Sequence, residues 1–432
     1  MHDALHLVRT RRFLPIFVTQ FLGAFNDNLF RTSMVMLVIY GIYGDATQEA
    51  TFSAIAGGLF ILPFFLLSAL AGQLADSNDK ARIIRIVKTA EILIMIIGAT
   101  GLLLHNVPLL LTALTAMGVH STFFGPIKYA ILPQHLAEDE VLGGTGLVEA
   151  GTYIAILAGT LLGGVLVLKR PDGSFHAEWA AVAVLVVALI GRLAGGRVPP
   201  AAPAADAPSF KMDWHIVRAS VTLVNGTLHV RRLFLAILAI SFFWAMGAVL
   251  AAQFPPLVKN SLGSDQSVAT CFLAIFSIGV AIGSLAVNWL LKGHVSARYA
   301  PGSALGMGLF VLDLFRRVQG FPLHGGGLYG TAAFLRTSDG PWIVFDLLGV
   351  AIAGGMFVVP LYAFLTTTVA KSETARTIAA NNIVNSGFMV AATLILTLAV
   401  QSGVTVAQSL LIVAVASVLA AWLGWKLHLA CD

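Results

Sequence analysis

Twelve apolar stretches follow one another along this 432-residue chain, and each is close to the length of helix that crosses a bilayer. Such a helix needs about 20 mainly apolar residues. The stretches fall near 13–42, 51–75, 83–104, 107–132, 143–168, 178–195, 233–257, 267–291, 300–316, 341–369, 376–400 and 404–428. The sixth and ninth are the shortest. Lipid is the solvent that suits them: 58% of the residues are hydrophobic and 11% charged, against about 25% charged in a soluble domain. The expected class is an all-α membrane protein. The first stretch is long, carries charges and lacks a small-residue cleavage site, so it reads as a span and not as a signal peptide.

Inside that first span lies the polar run Asn26-Asp27-Asn28, with Arg31 one helical turn further on. Ionisable groups persist in hydrocarbon only where they face a protein interior or a water-filled path, which makes them functional candidates. Gln20, Gly23, Asp27 and Arg31 are spaced to share one helix face. Lys88 and Glu91 in span three, and Lys128 and Glu149 at the ends of spans four and five, are further charges expected to form structural or gating ion pairs. His120 in span four is the titratable candidate near neutrality. Asp313 and Asp346 are read either as serving the outer half or as sitting near the membrane interface with Arg316 and Arg317.

Between spans six and seven the composition changes. Residues 198–208 form a Pro/Ala-rich extended linker. Over 211–230, Trp214, Val217, Val221, Val224 and Leu228 recur at helical spacing, as in a helix lying on a membrane surface. The chain therefore divides into a six-helix bundle over 1–197, a linker with an amphipathic helix over 198–230, and a second six-helix bundle over 231–432. With both termini cytoplasmic, seventeen of the 26 lysines and arginines fall on the inner side and six outside, as the positive-inside rule requires. The halves also echo each other. Arg11-Arg12-Phe13-Leu14 matches Arg231-Arg232-Leu233-Phe234, and the segment 142–151 matches 378–387. Duplicated units of this kind bind substrate near the midplane and rock around it.

Gly72-Gln-Leu-Ala-Asp76-Ser-Asn-Asp79-Lys80-Ala-Arg82 resembles the cytoplasmic loop signature of the major facilitator superfamily. It departs at Asp79, where glycine is usual, and at Ala81. The resemblance implies twelve transmembrane helices in two six-helix bundles, with Asp76, Lys80 and Arg82 in contacts that hold one face closed. Gln20-Phe-Leu-Gly-Ala-Phe-Asn-Asp-Asn28, Gly125-Pro126-Ile-Lys128-Tyr129-Ala-Ile-Leu132 and Gly146-Leu-Val-Glu149-Ala150 are similar to the signatures of bacterial lysophospholipid transporters. The second half, around Phe243-Trp244 and Gln253-Phe-Pro255, is similar to the transporter portion of transporter–acyltransferase fusions. Asn26 and Ala130 stand where those signatures usually have glycine.

What the resemblance implies is inward movement of a lysophospholipid, such as lysophosphatidylethanolamine, across the bacterial inner membrane by alternating access. For that cargo the expected binding residues are Gln20, Asn26, Asp27, Asn28, Arg31 and His120. Asp27 would meet an ammonium and Arg31 a phosphate, whose oxygens suit a guanidinium; the alternative is that these two residues, at i,i+4, pair with each other. The competing cargo is a drug-like compound or siderophore for export. The chain is expected to be a monomeric secondary transporter and not an enzyme. It has no phosphate-binding loop, and His135-Leu-Ala-Glu-Asp139-Glu140 puts glutamate where the acyltransferase His-x4-Asp motif needs aspartate. An acyltransferase is the protein partner implied. No cofactor or metal is expected: Cys271 and Cys431 have no ligand spacing. The net charge of +5 comes without the basic, aromatic-rich block of a nucleic-acid binder.

Overall fold

The computed structural model describes residues 4–167, 175, 177–202, 213–291, 296–322, 327–367 and 374–431. Among them, twelve helices of 19 residues or more follow in chain order: α1 Leu14–Leu37, α2 Ala46–Ser77, α3 Lys80–Leu103, α4 Val107–Ala130, α5 Glu138–Val165, α6 Glu178–Gly196, α7 Arg231–Asn260, α8 Gln266–Leu291, α9 Ala300–Gln319, α10 Gly340–Thr367, α11 Thr374–Gln401 and α12 Leu410–Cys431. The described residues hold no named strand, and an isolated bridge joins Ser264 and Tyr329. Nine of the twelve helices hold an apolar window that by itself suffices to cross a membrane. The helices that fall short include α1, which carries Asn26-Asp27-Asn28, and α9, which carries Asp313, Arg316 and Arg317. Leu193, Leu309, Leu398 and Leu429 project from the outer helices at more than 60% exposure, a surface that only lipid covers favourably.

Contacts divide the chain into two compact units, residues 1–41 with 66–219 and residues 42–65 with 220–432. In the first, α1 packs on α5 and α6, and α3 on α4 and α6. In the second, α7 packs on α11 and α12, and α9 on α10 and α12. These four pairings recur six helices apart, in keeping with the echo between the paired sequence segments.

Small residues set these packings. A Cβ on Gly163 would lie 2.7 Å from the Leu29 carbonyl oxygen, and one on Gly159 would overlap the Phe25 carbonyl. The α1–α5 crossing is therefore a backbone contact, in keeping with a small-xxx-small face.

The linker helix, Ile216–Leu228, leaves Trp214, Val217 and Val221 exposed. Asp213 grips Arg218 through two hydrogen bonds of 2.7 and 2.8 Å and donates its own N–H to Gln73 Oε1 at 2.8 Å. The Arg218 hydrogen bonds hold the Asp213 carboxyl down at about 2.

Asp79, the departure from the loop signature, has a structural task. Its side chain caps α3 by accepting from Ala81 N at 2.8 Å and Arg82 N at 3.3 Å, and it also accepts from Ala201 N at 3.2 Å. Lys80 N donates to Ala201 O at 3.0 Å. Glycine could do none of the side-chain work. Burial pushes the Asp79 carboxyl up, but the three backbone N–H donors outweigh it and leave it below its ordinary 3.8. A lowered value means the stabilisation is full above the ordinary pKa and fades as pH falls through the lowered one. Asp79→Ala is expected to cost about 1 kcal/mol at neutral pH, as for other N-caps. Thermal melts of the purified protein should show that gap to wild type closing below about pH 4.

Candidate functional site

Three consecutive polar residues on a helix point in three directions, because each step turns about 100°. On α1, Asn26 is turned toward α3, where its Nδ2 donates to Glu91 Oε1 at 2.9 Å. Asp27 is turned toward α4, where Ser121 Oγ donates to its Oδ2 at 2.5 Å. Asn28 stays on its own helix: its Nδ2 donates to Ala24 O at 2.8 Å and its Oδ1 accepts from Arg31 Nη2 at 3.0 Å.

Behind this run lies a buried ion pair. Lys88 Nζ is 2.6 Å from Glu91 Oε2, and the two residues are 0% and 1% exposed. His120 Nε2 approaches the same Glu91 oxygen at 3.4 Å. Glycines make room for the lysine. A Cβ on Gly23 of α1 would sit 2.9 Å from Lys88 Nζ, and one on Gly195 of α6 would sit 3.4 Å from its Cγ. The ammonium lies 5.3 Å from the centre of the Phe124 ring, a cation–π distance. His120 stacks on the same ring. Gln20 sits at the α1–α5 seam, where Thr152 Oγ donates to its Oε1 at 2.9 Å.

Four buried atoms of this cluster have no hydrogen-bond partner: Gln20 Nε2, Asn26 Oδ1, Asp27 Oδ1 and His120 Nε2. Buried polar atoms are ordinarily bonded, and an orphan needs an explanation. Two of these are acceptor oxygens on adjacent residues.

All six residues expected to bind cargo thus lie in the first unit: Asn26, Asp27 and His120 gather with Lys88 and Glu91, Asn28 and Arg31 bond to each other on α1, and Gln20, also on α1, lies at the edge, bonded to Thr152 of α5. Other candidates lie elsewhere. Lys80 is buried at the start of α3 without an ion pair among the described residues, and Arg82 is exposed. The side chains of Asp76 and Glu149 lie outside the described residues, so the expected Lys128–Glu149 pairing does too. Asp313 and Asp346 meet Arg317, whose Nε is 2.9 and 3.2 Å from them; Arg317 also packs on Trp342.

The second unit holds polar groups that the sequence did not single out. Glu49, fully buried at the start of α2, accepts from Lys259 Nζ at 2.5 Å and Asn260 Nδ2 at 2.8 Å. Ser241 Oγ donates to Asn385 Oδ1 at 2.7 Å, and Trp244 Nε1 to the Tyr362 hydroxyl at 2.7 Å. The Ser241–Asn385 and Trp244–Tyr362 bonds join neutral groups, unlike the charged cluster in the first unit. An open groove of about 460 Å³ between α9 and α10 is lined by apolar side chains and glycines apart from Arg298, Tyr299 and Ser303, and holds none of the candidate residues.

Residues 16–393 match the Major Facilitator Superfamily. The chain belongs to that superfamily. Among curated relatives of this facilitator, the lysophospholipid transporter LplT of Serratia proteamaculans is 27% identical over 369 residues, covering 82% of this chain and 80% of that one. The protein of the same name from Citrobacter koseri is 26% identical over 414 residues and covers 94% of each chain. Among solved structures, an auto-inhibited POT family peptide transporter superposes with a TM-score of 0.72 at 13% identity, covering 98% of each chain. A D-xylose–proton symporter gives 0.67 at 14% identity, covering 96% of this chain and 97% of that one. At such identities the structural likeness speaks for the fold alone.

Proposed function

We propose that this facilitator moves lysophospholipid across the bacterial inner membrane by alternating access, with both termini cytoplasmic and an acyltransferase as the consumer of its cargo. The curated relatives named lysophospholipid transporters, aligned over most of the chain, support the cargo class. The observation that carries the site is the pair of buried, unbonded acceptors, Asn26 Oδ1 and Asp27 Oδ1. An orphan carboxylate oxygen inside a span suits a cationic group with N–H donors, and a primary ammonium has three; the orphan amide oxygen of the neighbouring residue is a second acceptor on the same turn of α1. Arg31, four residues from Asp27, supplies a planar fork for phosphate oxygens. The two halves of a zwitterionic headgroup thus have partners one helical turn apart on α1, and the acyl chain would lie in apolar surroundings.

Uptake of labelled lysophosphatidylethanolamine into proteoliposomes tests this reading. Asp27→Asn and Arg31→Ala should each lower uptake tenfold or more while the folded protein is recovered in wild-type yield, since each removes a charge-assisted contact with the cargo. A choline headgroup, which has no N–H, should be taken up poorly by the wild-type protein. Normal uptake in both variants would remove Asp27 and Arg31 from the site. Protection of cells against toxic compounds, undiminished by competing lysolipid, would instead favour an exporter of drug-like molecules.

A further inference from the structure

Ser121 breaks the habit of its own helix. On α4, Thr112, Thr115 and Thr122 each donate their hydroxyl to the carbonyl four residues back, at 2.8 Å. That back-bonding is the usual way for a helix to satisfy a hydroxyl. Ser121 instead sends its proton across to α1, to Asp27 Oδ2, at 2.5 Å. The hydroxyl oxygen also lies 3.4 Å from His120 Nδ1, and the other nitrogen of that ring lies 3.4 Å from Glu91 Oε2. Ser121 is therefore the link between Asp27 and the Lys88–Glu91 pair.

The consequence falls on the other oxygen of Asp27. A carboxylate with no fixed contact rotates about its terminal torsion, which is broad and roughly two-fold. Anchoring Oδ2 removes that freedom and leaves Oδ1 as the one oxygen of this carboxylate with no hydrogen-bond partner. We propose that Ser121 is a positioning residue for cargo recognition: it holds Asp27 so that the unbonded Oδ1 stands ready for the N–H or O–H donors of a headgroup. This rests on Asp27 being the cargo acceptor. Preorganised acceptors gain affinity because less freedom is lost on binding. The charged and titratable groups that act on Asp27 are His120 from α4, Glu91 and Lys88 from α3, and Arg31 from α1.

Proteoliposome uptake of lysophosphatidylethanolamine by wild type, Ser121→Ala, Ser121→Thr and Asp27→Asn separates the outcomes. Ser121→Ala should raise KM about tenfold, the effect of one hydrogen bond to a charged group, with kcat kept within about twofold. Ser121→Thr retains the hydroxyl and should restore KM to near the wild-type value. A purely structural serine would lower the yield of folded protein and would not split KM from kcat in this way. Wild-type KM in Ser121→Ala, alongside loss of uptake in Asp27→Asn, would overturn the positioning role and leave the acceptor role standing. Equal rises of KM in the alanine and threonine variants would overturn it as well. Normal uptake by Asp27→Asn would overturn both.

Discussion

Glu91→Ala is expected to cost the folded protein about 3–5 kcal/mol, the usual consequence of breaking a buried ion pair by removing one partner. The reason is the surroundings of Lys88. Its ammonium is wholly buried, enclosed by Gly23, Gly191 and Gly195 and roofed by Phe124. A lysine near the end of a span can turn its head group toward water, but this one has no route. Removing Glu91 strands that charge, and in the same step strips Asn26 Nδ2 of its acceptor and His120 of its nearest carboxylate. The prediction distinguishes the pair from the contact itself. Lys88→Met combined with Glu91→Gln removes both charges and keeps an oxygen for Asn26, and should recover most of the loss, since apolar replacement of a whole buried pair is often neutral or better. Melting of the purified variants in detergent checks both statements: a single variant that melts with the wild type, or a double variant no better than the single, contradicts them. Lys259→Ala should be milder. The Lys259 side chain is 19% exposed, and Asn260 continues to donate to Glu49 after the lysine is gone.

Much of this site is legible in the residues because charge inside a span is conspicuous. Asp27, Lys88, Glu91 and His120 stand out against hydrocarbon, and the structure gathers them within one unit. Ser121 does not stand out, because a serine in a membrane helix ordinarily satisfies itself on its own backbone, and only three-dimensional proximity shows that this one does not. Glu49 escapes for a different reason: it lies at a span boundary, where a carboxylate normally meets water, and its burial against Lys259 and Asn260 is a long-range contact. Asn28 shows the converse. It belongs to the conspicuous run, yet its position on the helix turns it back to Ala24 O and to Arg31. Periodicity gives the direction of a side chain but not the neighbour found there. Asp79 reads as a departure from a family pattern until its three backbone donors are seen, one of them contributed by Ala201 from beyond α6.

Gly283→Ala, the addition of one methyl group, is the second large effect expected. Gly283-Ser-Leu-Ala in the second half echoes Gly72-Gln-Leu-Ala in the first. In the structure the two glycines differ: a Cβ on Gly72 would meet nothing within 4 Å, whereas one on Gly283 would overlap the Ile352 carbonyl and lie 3.0 Å from the Ile352 Cα. The partner helix replies in kind. A Cβ on Gly355 would overlap the Val280 carbonyl and lie 3.0 Å from Ser284 N. Helices α8 and α10 therefore cross backbone against backbone at two reciprocal points, and neither clash can be relieved by turning a side chain aside. Overpacking of a close-packed contact commonly costs about 1–3 kcal/mol, and a clash with main chain should fall at the upper end or beyond. Gly306→Ala on α9 is the control, because its Cβ would meet open space. There the better helix propensity of alanine, worth up to about 1 kcal/mol over glycine, should leave stability unchanged or raised. Melting temperatures of the two variants should then move apart from the wild-type value in opposite directions or leave only Gly283→Ala displaced. A Gly283→Ala protein that melts with the wild type would mean that α8 and α10 can separate by a methyl's width without loss, and that the crossing is not fixed by its glycines.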